Sequence, residues 1–148
     1  MEPSKIILSA DSTCDLPEEV KERYDVHYYP FHIVLDDKVY QDNIDIHPKD
    51  LFDRYYEDGT LPTTGAMTIQ EFVDYFKPFV DEGYEIIHLN LGNSLSSAHE
   101  HATKAAEELG NVYVVNSGEL SVGMAPQIVL AGQMIAEGKT VQEILPAL

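Results

Sequence analysis

Basic residues are scarce in this chain: nine lysines and arginines stand against 26 aspartates and glutamates, a formal charge of −17 over 148 residues. A nucleic-acid partner is therefore not expected, because phosphate backbones are held by Lys and Arg. An anionic membrane surface is disfavoured for the same reason, and the acidity reads first as a solvated exterior. Apolar runs are short, and none approaches the roughly 20 residues a spanning helix needs, so membrane insertion is not expected. Met1-Glu2-Pro3-Ser4 has neither a basic n-region nor an apolar h-region, so no signal peptide is expected. Cysteine is nearly absent. Cys14 stands alone, which rules out an intrachain disulfide and fits a cytoplasmic location. Its neighbours are aspartates rather than bases, so nothing nearby activates it as a nucleophile.

What is present is a chain of strands alternating with helices, at a length suited to one domain. That alternation predicts an α/β fold with a mostly parallel sheet flanked by helices, plus a small hairpin. Lys5 to Ala10 reads as the first strand and Asp11 to Asp15 as its polar turn. A helix should follow from Leu16, with Asp15 as N-cap and Glu18 closing a capping box. Val26 to Leu35 reads as one extended run, in which Pro30 argues for an edge strand or an entry point. Asp36-Asp37 should turn it back along Lys38 to Gln41 as a hairpin. A helix is expected from Asp45 to about Asp58, stopped by Gly59, with Leu51, Phe52, Tyr55 and Tyr56 as core first and binding face second. Leu61 to Met67 is read as an uncharged loop. Thr68 and Glu71 form a capping box that opens a helix to about Glu82.

The central stretch is Glu85 to Ala98. It combines a buried strand, a sharp Gly92-Asn93 turn and a hydroxyl-rich helix start. The helix should run from about Ser96 to Leu109. Asn111 to Asn116 reads as a third inner strand, and Ser121 to Glu137 as a further helix. Thr140 and Glu143 open one more helix, barely begun at Leu148, which predicts a second domain lying outside this chain.

The chemistry on offer is neutral. Ser12-Thr13, Ser94 to Ser97 and Ser117 to Ser121 all follow strands, and Thr63-Thr64 adds a fourth loop. In a parallel α/β sheet, ligands sit beyond the carboxyl ends of the strands. A helix N-terminus there adds unpaired N–H groups and the positive end of the dipole. Hydroxyls cost less to desolvate than charges, so such a set suits a carboxylate or phosphate without a lysine. Serine and threonine are also the commonest caps, so each loop taken singly is equally an ordinary turn.

One enzymatic alternative has a motif behind it. Gly92-Asn93-Ser94-Leu95-Ser96 nearly matches the G-x-S-x-G elbow of serine hydrolases, with Ser96 in place of the last glycine. The only later histidines are His99 and His101, on one helix and about 200° apart around it. His99-Glu100-His101 also lacks the i, i+4 histidine pair of a metal site, and no metal is expected. There is no P-loop and no G-x-G-x-x-G after a strand, so no nucleotide cofactor is expected. A small anion-binding regulatory module is a third reading.

The ordered set of segments resembles the DegV family of bacterial fatty-acid-binding proteins. Asp11-Ser12-Thr13-Cys14-Asp15-Leu16 resembles its D-S-x-x-D-L opening, and Thr63-Thr64-Gly65-Ala66 its T-S-Q-P loop. Ser94-Leu95-Ser96-Ser97-Ala98 resembles its S-x-L-S-G-T segment. Asn116-Ser117-Gly118-Glu119-Leu120-Ser121-Val122-Gly123 resembles its D-S-x-x-S-x-G turn, and Glu137-Gly138-Lys139 is similar as well. The chain departs from the family at Thr64, Gly65 and Ala66, at Ser97 and Ala98, and at Asn116, where Asp is usual. The resemblance implies an N-terminal DegV-type domain over residues 1–148 and a carrier without catalytic residues. It implies a fatty acid held between two α/β domains, with its acyl chain in an apolar tunnel. The carboxylate-binding residues carry over as Thr63 and Ser96, assisted by Ser97 and Ser94, with Ser12, Thr64 and Ser121 at the rim. A fatty-acid kinase partner that phosphorylates the bound carboxylate is implied too.

Overall fold

The computed structural model describes residues 5–148; the leader reading on Met1 to Ser4 lies outside the described residues. Four strands form a parallel sheet: β1 (Ile6–Asp11), β2 (Val26–Tyr29), β6 (Glu85–Asn90) and β7 (Val112–Asn116), in the order β2-β1-β6-β7. β1 and β6 are central and are buried on both faces, as strands of a sheet covered on both sides are. The strand Val112–Asn116, expected inside the sheet, is an edge strand. Its Tyr113 and Val114 are accordingly only half-buried.

Helices flank this sheet. α3 (Ile69–Asp81) and α4 (Ala98–Leu109) pack against each other. α3 presents Phe72 and Phe76, both fully buried, to the sheet. α4 lies on its neighbouring strands through Ala98, Ala102 and Ala105, whose small side chains permit close approach. α5 (Ala125–Ala136) lies against β1, and α6 (Val141–Ile144) closes the chain with the expected Thr140–Glu143 capping box. The Thr68–Glu71 box also forms: the Thr68 hydroxyl accepts from Glu71 N, while Glu71 accepts from Thr68 N at 2.7 Å.

The first helix starts later than expected. α1 spans Glu18–Arg23, and Asp15 is not its cap but a left-handed turn residue at φ 47°. Pro17 explains the shift: it disfavours helical backbone at Leu16 and brings no N–H for a cap to bind. The run Val26 to Leu35 is likewise not one strand. Pro30 ends β2 and sends the chain into a second sheet, where β3 (His32–Leu35) and β4 (Lys38–Gln41) form the expected hairpin. Asp36 and Asp37 both have positive φ, 51° and 61°, which is the twist a two-residue type I′ turn needs.

Two further differences concern this small sheet. The stretch read as a loop contains β5 (Thr63–Gly65), which pairs antiparallel with the open edge of β3 and makes three strands in the order β4-β3-β5. α2 (Pro48–Asp58) begins three residues later than expected, with Pro48 at the first helical position, where its missing N–H costs nothing. Its aromatics are not core. Phe52, Tyr55 and Tyr56 are 60%, 46% and 79% exposed, and only Leu51 packs on the cluster of Ile33, Leu35 and Ile46. A three-stranded sheet offers a single stripe of contact, so one face of the helix is covered and the aromatic face is not.

Candidate functional site

β1 and β6 are neighbours in register, with Ser9 beside His88. On the face toward α3 the carboxyl-terminal halves of both strands carry polar side chains, which bond mainly to one another and leave Asn90 Oδ1 without a partner among the described residues. Ser9 Oγ lies 2.8 Å from both the Tyr75 hydroxyl and His88 Nδ1. His88 Nε2 lies 3.1 Å from Asn90 Nδ2, which also reaches Asp11 Oδ2. Ser9, Asp11, His88 and Asn90 are all fully buried. Complete burial holds His88 neutral, pushing its pKa down to about 3. Burial also pushes the Asp11 carboxyl up, against the bonds it accepts from Thr13, Leu91 and Asn90.

Asp11 ties the carboxyl ends of the two central strands together. Its Oδ2 accepts from Leu91 N at 2.8 Å, and its Oδ1 from Thr13 N at 3.2 Å and from the Thr13 hydroxyl. A second clamp joins the ends of β6 and β7. Asn116 Oδ1 accepts from Asn93 N at 3.0 Å and Gly118 N at 3.2 Å. An amide oxygen thus does the accepting here, at the position where the resemblance led one to expect a carboxylate. Gly92 N donates to Glu119 O at 2.8 Å, and a Cβ on Gly92 would sit 3.1 Å from the Gly118 carbonyl carbon. Glycine is what lets these two loops touch.

Beyond these clamped ends lies a cavity of about 580 Å³. Its walls are Phe31, Ile33, Ala66, Leu91, Leu95 and Leu120, with Thr13, Asp42, Thr64, Ser96 and Ser97 supplying the polar atoms. The two sheets and the start of α4 meet here. Of the residues singled out in the sequence, Thr64, Ser96 and Ser97 are brought together on this cavity. Thr63 is not among its lining residues, because alternation along β5 turns Thr64 to the cavity and Thr63 to the other face. Ser94 is exposed in the turn before α4 and lines a shallower polar hollow with Ser96, Ser97 and His99. Ser12 is buried and committed: it donates to Asp42 Oδ2 at 2.6 Å and accepts from Phe31 N at 3.0 Å. Ser121 lies in a short 3-10 turn at φ 55°, away from the cavity lining.

Three of the hydroxyls on the cavity, those of Thr64, Ser96 and Ser97, have protons to donate, whereas that of Thr13 is spent on Asp11. Ser96 Oγ accepts from Ala98 N at 3.1 Å, which leaves its proton available to a ligand. Thr64 and Ser97 have no side-chain partner among the described residues. The first turn of α4 adds backbone N–H groups and the positive end of its dipole. A carboxylate or similar head group could be held here, with apolar walls for a hydrocarbon tail.

A hydrolase arrangement does not assemble around Ser94. His101 Nδ1 is bound to Met67 O at 2.7 Å, and His88 to Ser9 and Asn90. His99 shares the shallow hollow with Ser94, but its Nδ1 is buried without a partner, where a triad would place a carboxylate. Among the described residues no cluster of His, Cys, Asp or Glu could hold a metal ion. Nor, among the described residues, is any helix long and apolar enough to cross a membrane. The sequence reading marked Thr13 only as part of a hydroxyl-rich turn, and it missed Asp42 and the apolar walls. Phe31 and Ile33 alternate with outward residues like any strand core, so spacing alone could not mark them.

Comparison with known proteins bears on this geometry. A family model described as "Uncharacterised protein, DegV family" matches residues 5–148. A DegV domain-containing protein of Clostridium acetobutylicum is 34% identical over 142 residues, covering 95% of this chain and 51% of that protein. One from Clostridium perfringens is 30% identical over the same length and shares. Among solved structures, a fatty-acid-binding DegV family protein from Thermus thermophilus superposes with a TM-score of 0.86 at 28% identity, covering 96% of this chain and 51% of that one. A stearic acid-binding protein from Eubacterium ventriosum gives 0.86 at 25% identity, covering 97% and 51%. The chain therefore spans about half the length of these relatives. With the fold and the family match over residues 5–148 in agreement, the chain belongs to the DegV family.

Proposed function

We propose that this chain is the N-terminal domain of a cytoplasmic fatty-acid carrier, and that it holds a long-chain fatty acid by its carboxylate. One observation carries the reading: an apolar-walled cavity ends at hydroxyls with protons to donate, at the start of a helix. Thr64 takes the role that the resemblance assigned to Thr63, because it faces the cavity. Ser96 donates its free proton, and Ser97 contributes its hydroxyl. Leu91, Leu95 and Phe31 meet the first methylenes of the tail. The volume falls in the range of small-molecule sites, roughly 300–1,000 Å³. Relatives named for fatty-acid or stearic-acid binding support the ligand class. The loaded carrier then presents its carboxylate to a kinase partner for acyl-phosphate formation, while the carrier itself performs no chemistry.

Native mass spectrometry of the purified chain incubated with palmitate tests this. A mass increase of one fatty acid per chain, competed by longer but not by two- or three-carbon acids, is the expected result. Equal competition by acetate and palmitate would favour a small-anion module, and no uptake by the chain would contradict the proposal.

A further inference from the structure

Among the described residues, Asp42 is the one carboxylate or basic side chain on the wall of the apolar-walled cavity, and it carries the same sign as the ligand proposed above. It is half-buried and held in place. Ser12 Oγ donates to its Oδ2 at 2.6 Å, its own N–H donates to Phe31 O at 2.9 Å, and Ser12 closes the loop by accepting from Phe31 N. Swinging the carboxylate away from an incoming head group would break this arrangement. Among the described residues, no lysine, arginine or histidine lines the cavity.

Asp42 also has a second side. It borders a neighbouring polar cavity of about 610 Å³, with Asp15, Glu18, Lys21, Tyr28 and His47. It is therefore a partition between the apolar-walled cavity and a polar one through which a proton can arrive. The groups that face it are mixed: Asp15 opposes its ionisation, His47 favours it, and Lys21 is paired with Glu18 at 3.1 Å. Burial outweighs them and pushes the Asp42 carboxyl up from the ordinary range.

We propose that Asp42 makes acid binding proton-linked: a fatty-acid carboxylate enters the cavity together with one proton from solvent, and the two carboxyl groups then share a single negative charge. This rests on the carrier reading. Two carboxylates in one partly desolvated site cannot both stay ionised, so one titrates upward when the other arrives. No covalent bond changes. The proton taken up resides on Asp42, whose O–H then donates toward the head group while Thr64 and Ser96 donate from their side. The free site has acceptors on one wall and donors on the other, which matches a head group carrying one net proton more than a carboxylate alone.

The sign follows from linkage. Loading raises the Asp42 pKa, so affinity falls as pH rises between its free and loaded values, by up to about tenfold per pH unit. The test is proton uptake on adding palmitate to the chain in weakly buffered solution at about pH 7, read with a pH indicator. Binding of palmitate is measured alongside across the same pH range. Near one proton per ligand is expected for the native chain. Asp42→Asn should bind palmitate with no uptake and a flat pH profile. Ser12→Ala removes the donor that stabilises the ionised form, so it should shift the profile to higher pH, and it serves where Asp42→Asn does not fold. Palmitate binding without uptake, or with uptake unchanged in Asp42→Asn, would overturn the proposal and leave the carrier reading standing. Failure of native and variant chains alike to bind palmitate would overturn both.

Discussion

Two groups of polar side chains lie near the carboxyl ends of the central strands, yet they behave differently. Ser9, Asp11, His88 and Asn90 lie within the layers and spend nearly all their hydrogen bonds on one another and on Tyr75, Thr13 and Leu91. Thr64, Ser96 and Ser97 lie at the cavity and have protons with no partner among the described residues. The residue types overlap, since both groups contain hydroxyls. The difference is where the bonds go. A satisfied buried network fixes strand register and rigidity, and an uncommitted set beside apolar walls is what a ligand can use. The first group also supports the second, because Asp11 holds Thr13 and Leu91, two residues of the cavity wall.

The sharpest way to break this comparison is to remove a member of the buried group. Asp11→Ala leaves the amides of Leu91 and Thr13 without an acceptor inside the fold. It should cost about 3 kcal/mol or more in urea unfolding. A loss below about 1 kcal/mol would mean the network is incidental.

Acid should act on the same group. His88 is held neutral with a pKa near 3, whereas an unfolded histidine titrates near 6.5. Between those values the unfolded chain binds the extra proton. Stability should therefore fall as pH drops from about 6.5 toward 3, by up to about 1.4 kcal/mol per pH unit from this residue. Unfolding curves of the native chain and His88→Asn across that range check this, and the variant should show a shallower slope.

On the cavity side, Ser96→Ala should weaken fatty-acid binding by about 1.5–3 kcal/mol, the range for a bond to a charged group. Its cost to folding should be under about 1 kcal/mol, since only the Ala98 N–H loses an acceptor at a helix start. The smallest expected effect is Tyr75→Phe. It removes one hydroxyl from the edge of the buried group, at a cost of about 1 kcal/mol, with ligand affinity unchanged. A variant that lost affinity without losing stability would join the two groups that the account separates.

Much of this was legible in the residues. Alternating apolar strands and capping boxes at Thr68 and Thr140 gave the α/β order, because those signals are local. Ser96 and Ser97 could be singled out because a strand, a glycine turn and hydroxyls stand together. What was not legible depended on long-range pairing. β5 exists because β3 has an open edge 30 residues earlier in the chain, and that pairing decides which of two adjacent threonines faces the cavity. Asp42 carries no mark in the sequence, since nothing in its neighbourhood announces the Ser12 hydroxyl that holds it. Phe52, Tyr55 and Tyr56 have core spacing on a helix whose partner sheet is too small to cover them.

The adjacent threonines give the most direct test of the central claim. Affinity for a fluorescent long-chain fatty acid should be measured for Thr63→Val and Thr64→Val side by side, with unfolding curves to show that both fold. The account predicts a loss of about tenfold or more for Thr64→Val and near-native affinity for Thr63→Val. Equal affinities, or the larger loss at Thr63, would contradict it.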